Sequence, residues 1–402
     1  MSTLADATDA DKVMLLNYAE DYRATKQRAL VALEEADVLA IVQRARAEVD
    51  ARYLLFPDAD ALLERAVVAL LGGHVVLSGP PGTGKTTLAE ILSRAFRCTW
   101  ETVTATADWT AFDVIGGLQP SIVGTGDAAT EVLKPRLGNV PRAAVECANV
   151  IARHADDSTA NPDQAHWLIL DEFNRAEVDK AIGPLYTALG GGTRRLPLWF
   201  GDVPERMEVW LPERFRIVAT LNSVDTAYVF TFSQGLTRRF QFIYVGVPEE
   251  SQVGVELEAA MTQAARWFAA TYGGPTADGD AAVQEFLADK RVQQAKEMFE
   301  KVIRFVRYGS EGRPGWPLGT AQVVDTFRQL AIRRTYASSS DDGLVKALDL
   351  AIADRIVPQM DQLLRDQITG LEDRLKESDL APLERSRRAL TQLRETQSTA
   401  FS

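Results

Sequence analysis

The sequence has little cysteine, little histidine and no surplus of positive charge. Only two cysteines occur in 402 residues, Cys98 and Cys147, and they stand far apart. That excludes a disulfide framework and a cysteine-based metal knuckle, and fits reduced thiols in a cytoplasmic protein. The three histidines, His74, His154 and His166, form no ligand cluster and read as structural or surface residues. The formal net charge is −12, which argues against a surface that grips nucleic acid broadly, because phosphate neutralisation needs clustered Lys and Arg. DNA is left with a narrower route: a partner, or a basic channel gathered around an oligomer's axis. No apolar run approaches the length of a membrane span. Met1-Ser2-Thr3-Leu4-Ala5-Asp6 lacks the basic and apolar regions of a signal peptide, so no membrane association is expected. No internal repeat is visible. What is present is ordinary for a globular protein of two or three domains: 46% hydrophobic and 25% charged residues.

One stretch departs from the ordinary. Gly79-Pro80-Pro81-Gly82-Thr83-Gly84-Lys85-Thr86 fits Gly, four free positions, then Gly-Lys-Thr. The short apolar run His74 to Ser78 before it reads as a buried strand. Thr87 to Leu92 after it reads as the start of an amphipathic helix. The glycines let successive N–H groups point inward at phosphate oxygens, and the helix N-terminus adds partial positive charge there. Lys85 is placed to reach the β- and γ-phosphates, and the Thr86 hydroxyl to ligate Mg²⁺. Residues 79–87 are therefore the candidate nucleotide-binding segment.

The chain around this motif alternates short apolar strands with helices to about residue 248. Further strands are expected at 98–104, 167–170, 215–220 and 241–245. Continuous apolar strands with helical crossovers imply an α/β fold with a parallel sheet covered on both faces. Residues 1–55 read as a helical N-terminal region, an antiparallel pair built from Leu15, Tyr18, Tyr22, Leu30, Leu33, Val38, Ile41 and Val42. Asp60 is a candidate cap for a helix from 61 to 71. The nucleotide-binding core is assigned to 56–248, a helical lid to 249–340 and a helical extension to 341–402. In the last two regions, helices are expected at 251–272, 281–308, 320–338, 344–367 and 380–397.

A phosphate loop needs a metal-holding acid. Trp167-Leu168-Ile169-Leu170-Asp171-Glu172 is an apolar strand ending in two carboxylates. Asp171 is read as holding Mg²⁺ through water, and Glu172 as the base that polarises the attacking water. Asn222, at the end of Thr220-Leu221-Asn222-Ser223, is read as orienting that water or touching the γ-phosphate. Arg238 and Arg239, before the last strand, are candidates for a charge-stabilising finger that enters a neighbouring subunit's site, with Arg239 the first choice.

These ordered motifs resemble an AAA+ ATPase over about residues 55–335. Asp171-Glu172-Phe173-Asn174-Arg175-Ala176 is similar to the Asp-Glu-Ile-Asn-Arg-Ala signature of MoxR-like and McrB-like members. Leu221 to Asp225 and Leu236 to Phe240 look more like the McrB side. The segment from about 109 to 165 fits an insertion in the family's second helix, with Asp113-Val114-Ile115-Gly116-Gly117 resembling its turn. The resemblance implies a P-loop core of strand order 5-1-4-3-2 with a helical lid, a homo-oligomer of hexameric type, and ATP with Mg²⁺, GTP being the alternative. The first reading is a ring motor that remodels or translocates a macromolecule, of McrB-like type, which implies a nuclease subunit and a role in restriction or anti-phage defence; the MoxR-like chaperone is the alternative. A MoxR-like chaperone implies a von Willebrand A-domain partner. A non-catalytic nucleotide-bound assembly module is a third reading. The first 60 residues are short for a McrB DNA-reading domain, and Thr226 stands where that side often has Arg. The second-sensor region, Gly319 to Val323, lacks an Arg, with Arg328 about two turns on. Arg194, Arg195, Lys134, Arg136 and Arg142 are read as surface charges, with a pore-facing role as the alternative.

Overall fold

The computed structural model describes residues 23–123, 130–190, 193–198, 208–223, 234–273, 279–309, 315–336 and 342–399. Leu15, Tyr18, Tyr22, Asp225 and Thr226 lie outside them. The strands in chain order are β1 (His74–Gly79), β2 (Cys98–Thr104), β3 (Gly116–Val123), β4 (Thr130–Leu137), β5 (Ala165–Asp171), β6 (Arg195–Pro197), β7 (Glu208–Trp210), β8 (Ile217–Asn222) and β9 (Phe240–Tyr244). The chain divides into two compact units, the first comprising residues up to 46, 60–79 and 85–244, and the second 47–59, 80–84 and 245–402.

The first unit is built on a five-stranded sheet of order β2-β5-β8-β1-β9, every neighbouring pair parallel. Numbered among themselves along the chain, these strands run 5-1-4-3-2 from the opposite edge, as the sequence resemblance implies. All six residues of β8 are buried, as are the first six of β5, which is why both read as unbroken apolar runs. Trp167 on β5 is fully buried against Phe96, ring centroids 5.0 Å apart, and its indole N–H donates to the Arg214 carbonyl at 2.8 Å. The helix Ala59–Gly72 buries Leu62, Leu63, Ala66, Val67 and Leu70 as one stripe. It begins a residue ahead of Asp60, which sits in its first turn.

The N-terminal region differs from the expected helical pair. Residues 23–28 and Val38–Ala51 are helical, but 31–37 are irregular, and Leu30 is exposed. Polar contacts decide the path here. Arg214 donates to the Ala32 carbonyl at 2.6 Å and the Gln164 carbonyl at 3.0 Å, the Glu34 N–H donates to Gln164 Oε1 at 2.9 Å, and His154 Nε2 lies 2.7 Å from the Glu34 carboxylate. These fixed partners hold the strap extended and override the apolar spacing.

The span after Trp109 contains a capped turn of helix, Ala111–Val114, an antiparallel hairpin of β3 and β4, and a long helix, Asn139–Asp156. Gly116 has φ +105° and lies so close to the Arg136 carbonyl that a side chain would collide with it. β6 and β7 pair as a second hairpin. Its arginines are engaged: Arg194 with Glu213 at 2.7 Å, and Arg195 with Glu208 at 3.5 Å and over the Trp210 ring. Arg142 pairs with Glu101 at 3.0 Å and Arg136 lies over Phe112.

The second unit is helical. Its segments are Val253–Tyr272, Gly279–Ala288, Lys290–Tyr308, Thr320–Arg334, Asp342–Ala351, Arg365–Arg374 and Glu384–Thr399. The single helix expected over 281–308 is two helices. Asp289 breaks it by capping the second, its carboxylate accepting from the Arg291 N–H at 2.9 Å. The helix expected over 344–367 passes into a π turn at Ile352–Ile356 and a 3-10 turn at Val357–Met360, where Pro358 cannot continue the hydrogen-bond ladder. At its core, Arg307 makes a fully buried fork to Glu256, which also accepts from the Thr320 hydroxyl at 2.6 Å. Among the described residues, no helix is long and apolar enough to cross a membrane.

Candidate active site

The first unit brings Thr86, Asp171, Glu172 and Asn222 together at the carboxyl ends of its parallel strands, where α/β sheets place their ligands. Register does this. Gly79 at the end of β1 lies opposite Asn222 at the end of β8, and Thr104 opposite Asp171. β5 and β8 run Leu170 opposite Ala219, so Asp171 comes beside Thr220.

Lys85 and Thr86 open the helix Lys85–Ala95, with Thr87 the third residue. Lys85 is 7% exposed, and its ammonium donates to the Gly79 carbonyl at 3.0 Å. The Thr86 hydroxyl donates to Asp171 Oδ1 at 2.6 Å. The Thr220 hydroxyl donates to the same oxygen, also at 2.6 Å, and accepts from the Glu172 N–H at 3.1 Å. These are the hard oxygen donors that suit Mg²⁺, which takes one or two protein ligands and completes its shell with water and phosphate.

Glu172 stands at the turn leaving β5 with φ 56° and ψ 38°, a left-handed conformation uncommon for a residue with a Cβ. The turn swings the carboxylate across to β8. Asn222 Nδ2 donates to Glu172 Oε1 at 3.0 Å, and Arg175 Nε donates to Oε2 at 2.6 Å. The paired acid and amide proposed from sequence are therefore in direct contact.

Residues 80–84 belong to the second unit. Gly82 and Gly84 have φ +76° and +83°, and Thr83 is buried with its hydroxyl donating to the Pro80 carbonyl at 3.0 Å. Left-handed glycines at alternate positions turn backbone amides to one side, the geometry of an anion nest. In this unit the Ala321 N–H donates to the Gly82 carbonyl at 2.9 Å, and Gln322 lies against Gly82 so closely that a Cβ there would strike its carboxamide. The second-sensor position carries no cation: Val323 is buried, and Arg328 is held by Asp325 at 3.1 Å and stacked over Trp267.

Arg239 Nε donates to the Tyr186 carbonyl at 2.8 Å and Nη1 to the Gly235 carbonyl at 3.0 Å, with the guanidinium over the Tyr186 ring. Arg238 is exposed. The pair are thus unequal: one is tied within the chain and the other is exposed.

Thr220, Asn174 and Arg175 stand within motifs quoted from the sequence, but no role is assigned to them there. Strand alternation held a signal for Thr220, since it shares a face with Asn222 two residues on. The contacts of the other two depend on the left-handed turn at Glu172, which the signature names but whose geometry it does not give.

His74, Cys98 and Cys147 are buried or partly buried away from these contacts. His74 is buried and held neutral, its pKa lowered to about 3 by burial and then by the charges of Arg216 and Arg194. Its Nδ1 accepts from the Ile217 N–H at 2.9 Å. Burial pushes the Cys147 thiol up to about 12 and that of Cys98 upward too, so neither is a ready nucleophile.

Residues 74–240 match the family described as AAA domain (dynein-related subfamily). The match covers less than half of the chain. The five-stranded parallel sheet, of order β2-β5-β8-β1-β9, is that of an AAA+ P-loop core. A curated relative, Chaperone MoxR1 of Mycobacterium tuberculosis, is 24% identical over 335 residues, covering 79% of this chain and 73% of that protein. Among solved structures, a point mutant of RuvB from Thermotoga maritima is 13% identical with a TM-score of 0.40, covering 80% of this chain and 83% of that one. NtrX of Brucella abortus, solved with ADP, is 12% identical with a TM-score of 0.39, covering 94% of this chain and 73% of that one.

Proposed function

We propose that this protein hydrolyses ATP in a homo-oligomeric ring, of hexameric type, and uses the cycle to remodel a protein in the manner of a MoxR-like chaperone. The observation that carries the chemistry is the convergence of Thr86, Asp171, Glu172 and Asn222. Residues 79–87 wrap the phosphates, with Lys85 on the terminal ones. Thr86 and Asp171 hold Mg²⁺, whose charge offsets that of the phosphate oxygens. Glu172 takes the proton of the attacking water, and Asn222 orients that water or the γ-phosphate. Arg238, exposed on its own subunit, acts in trans, and Arg239 anchors the turn that presents it. ATP is the preferred nucleotide over GTP, and the cytoplasm the working compartment.

The 24% identity to Chaperone MoxR1 supports the chaperone reading over the McrB-like restriction motor, and makes an A-domain protein a better candidate partner than a nuclease. The neighbouring gene separates the two. The non-catalytic module is disfavoured by the complete Asp171, Glu172 and Asn222 set. Glu172→Gln tests the central assignment. It keeps ATP affinity, read by calorimetry, and nearly stops phosphate release, whereas unchanged turnover removes Glu172 from its role.

A further inference from the structure

Asn174 is 1% exposed and lies two residues past Glu172. Its side chain reaches back to the end of β8. Asn174 Nδ2 donates to the Asn222 carbonyl and Asn174 Oδ1 accepts from the Asn222 N–H, each at 3.3 Å. The two bonds imitate one rung of the parallel sheet just where the strands end. A flipped carboxamide would set donor against donor and acceptor against acceptor, so the contact selects one orientation. Asn222 is itself 8% exposed, so these backbone groups have little access to water as a substitute. The loop closes on itself: the Asn222 side chain donates to Glu172, and the turn from Glu172 carries Asn174 back to the Asn222 backbone.

We propose that Asn174 is a positioning residue for the hydrolytic step. It clamps the backbone of Asn222 to the turn that bears Glu172, so that amide and carboxylate keep their separation as the site works. This rests on the reading of Glu172 as the base and Asn222 as its partner. Asn174 touches neither nucleotide nor water; it acts through Asn222.

The test is a double-mutant cycle on the full chain. Asn174→Ala and Asn174→Asp are made alone and with Asn222→Ala, and kcat and the affinity for a fluorescent ATP analogue are measured. Asn174→Asp keeps the size but sets an oxygen against the Asn222 carbonyl, so it guards against a simple cavity effect. Each single variant loses roughly tenfold or more in kcat, the scale on which small displacements of reacting groups act. Analogue affinity stays within about twofold, which shows that the domain is folded and its binding step intact. With Asn222→Ala already present, neither Asn174 change lowers kcat further. A full additional loss in that background, wild-type kcat in Asn174→Asp, or affinity falling in step with kcat overturns the proposal. Glu172→Gln, run in parallel, keeps the two readings apart: if it still turns over, the base assignment fails, and if it is inactive while the cycle is additive, only the clamp fails.

Discussion

Thr220→Val removes one hydroxyl and changes almost nothing else. Thr220 is 2% exposed and fixed on β8, and Val is its near-isostere on a strand. The wild-type hydroxyl donates to Asp171 Oδ1 at 2.6 Å and accepts from the Glu172 N–H at 3.1 Å. A hydrogen bond to a charged group is worth about 1.5–3 kcal/mol, and losing the acceptor strands a backbone N–H as well. If that loss is felt in the transition state, kcat/KM falls by roughly 10- to 150-fold. The lower part of the range is expected, because Thr86 still donates to the same Asp171 oxygen at 2.6 Å. The assay is steady-state phosphate release across a Mg²⁺ titration. On the proposed reading of Asp171 as the metal-holding acid, the variant should need more Mg²⁺ for half-maximal rate, since that carboxylate has lost one of its two hydroxyl anchors. A Thr220→Val protein with wild-type kcat/KM and an unmoved Mg²⁺ midpoint refutes the claim that this hydroxyl sets the acid.

Three further outcomes are expected. Lys85→Ala abolishes tight ATP binding by calorimetry, and a wild-type dissociation constant contradicts the phosphate-loop reading. Arg238→Ala lowers turnover while sparing binding, and inactive Glu172→Gln subunits mixed with it regain activity if the arginine works across a subunit boundary; no recovery at any mixing ratio refutes action in trans. His74 gives a pH signature. Its pKa is about 3 in the fold against 6.5 ordinarily, so the unfolded chain binds the extra proton between these values and stability falls as pH drops through that window. Urea unfolding at pH 5 should show a loss of about 2 kcal/mol relative to pH 7 that His74→Asn lacks, and equal losses in both proteins overturn the assignment.

The parts of the site legible in the sequence are those whose geometry is local. Gly79 to Thr86 carry their own turn, and Asp171 announces itself by ending an apolar strand. Strand order follows from the resemblance, and the neighbours Asp171 and Asn222 follow from it. Thr220 and Asn174 are hidden because their partners are about 50 residues away and are met only through register and a left-handed turn. The strap at 31–37 departs from its sequence pattern for a related reason: Leu30 and Leu33 have helical spacing, but carbonyls captured by Arg214 set the path. Asp289 shows the reverse case, a helix break whose capping residue is in plain view.

The strap has a practical consequence for anyone shortening this protein. Arg214 has a side chain 7% exposed, and residues 32 and 34 supply two of its acceptors. Trimming the chain at residue 36 to obtain a tidy fragment would strip that guanidinium of the Ala32 and Glu34 acceptors, leaving the Gln164 carbonyl, and would leave His154 facing an empty seat. A fragment keeping residue 29 onward retains both, and is the shorter expression boundary to try first.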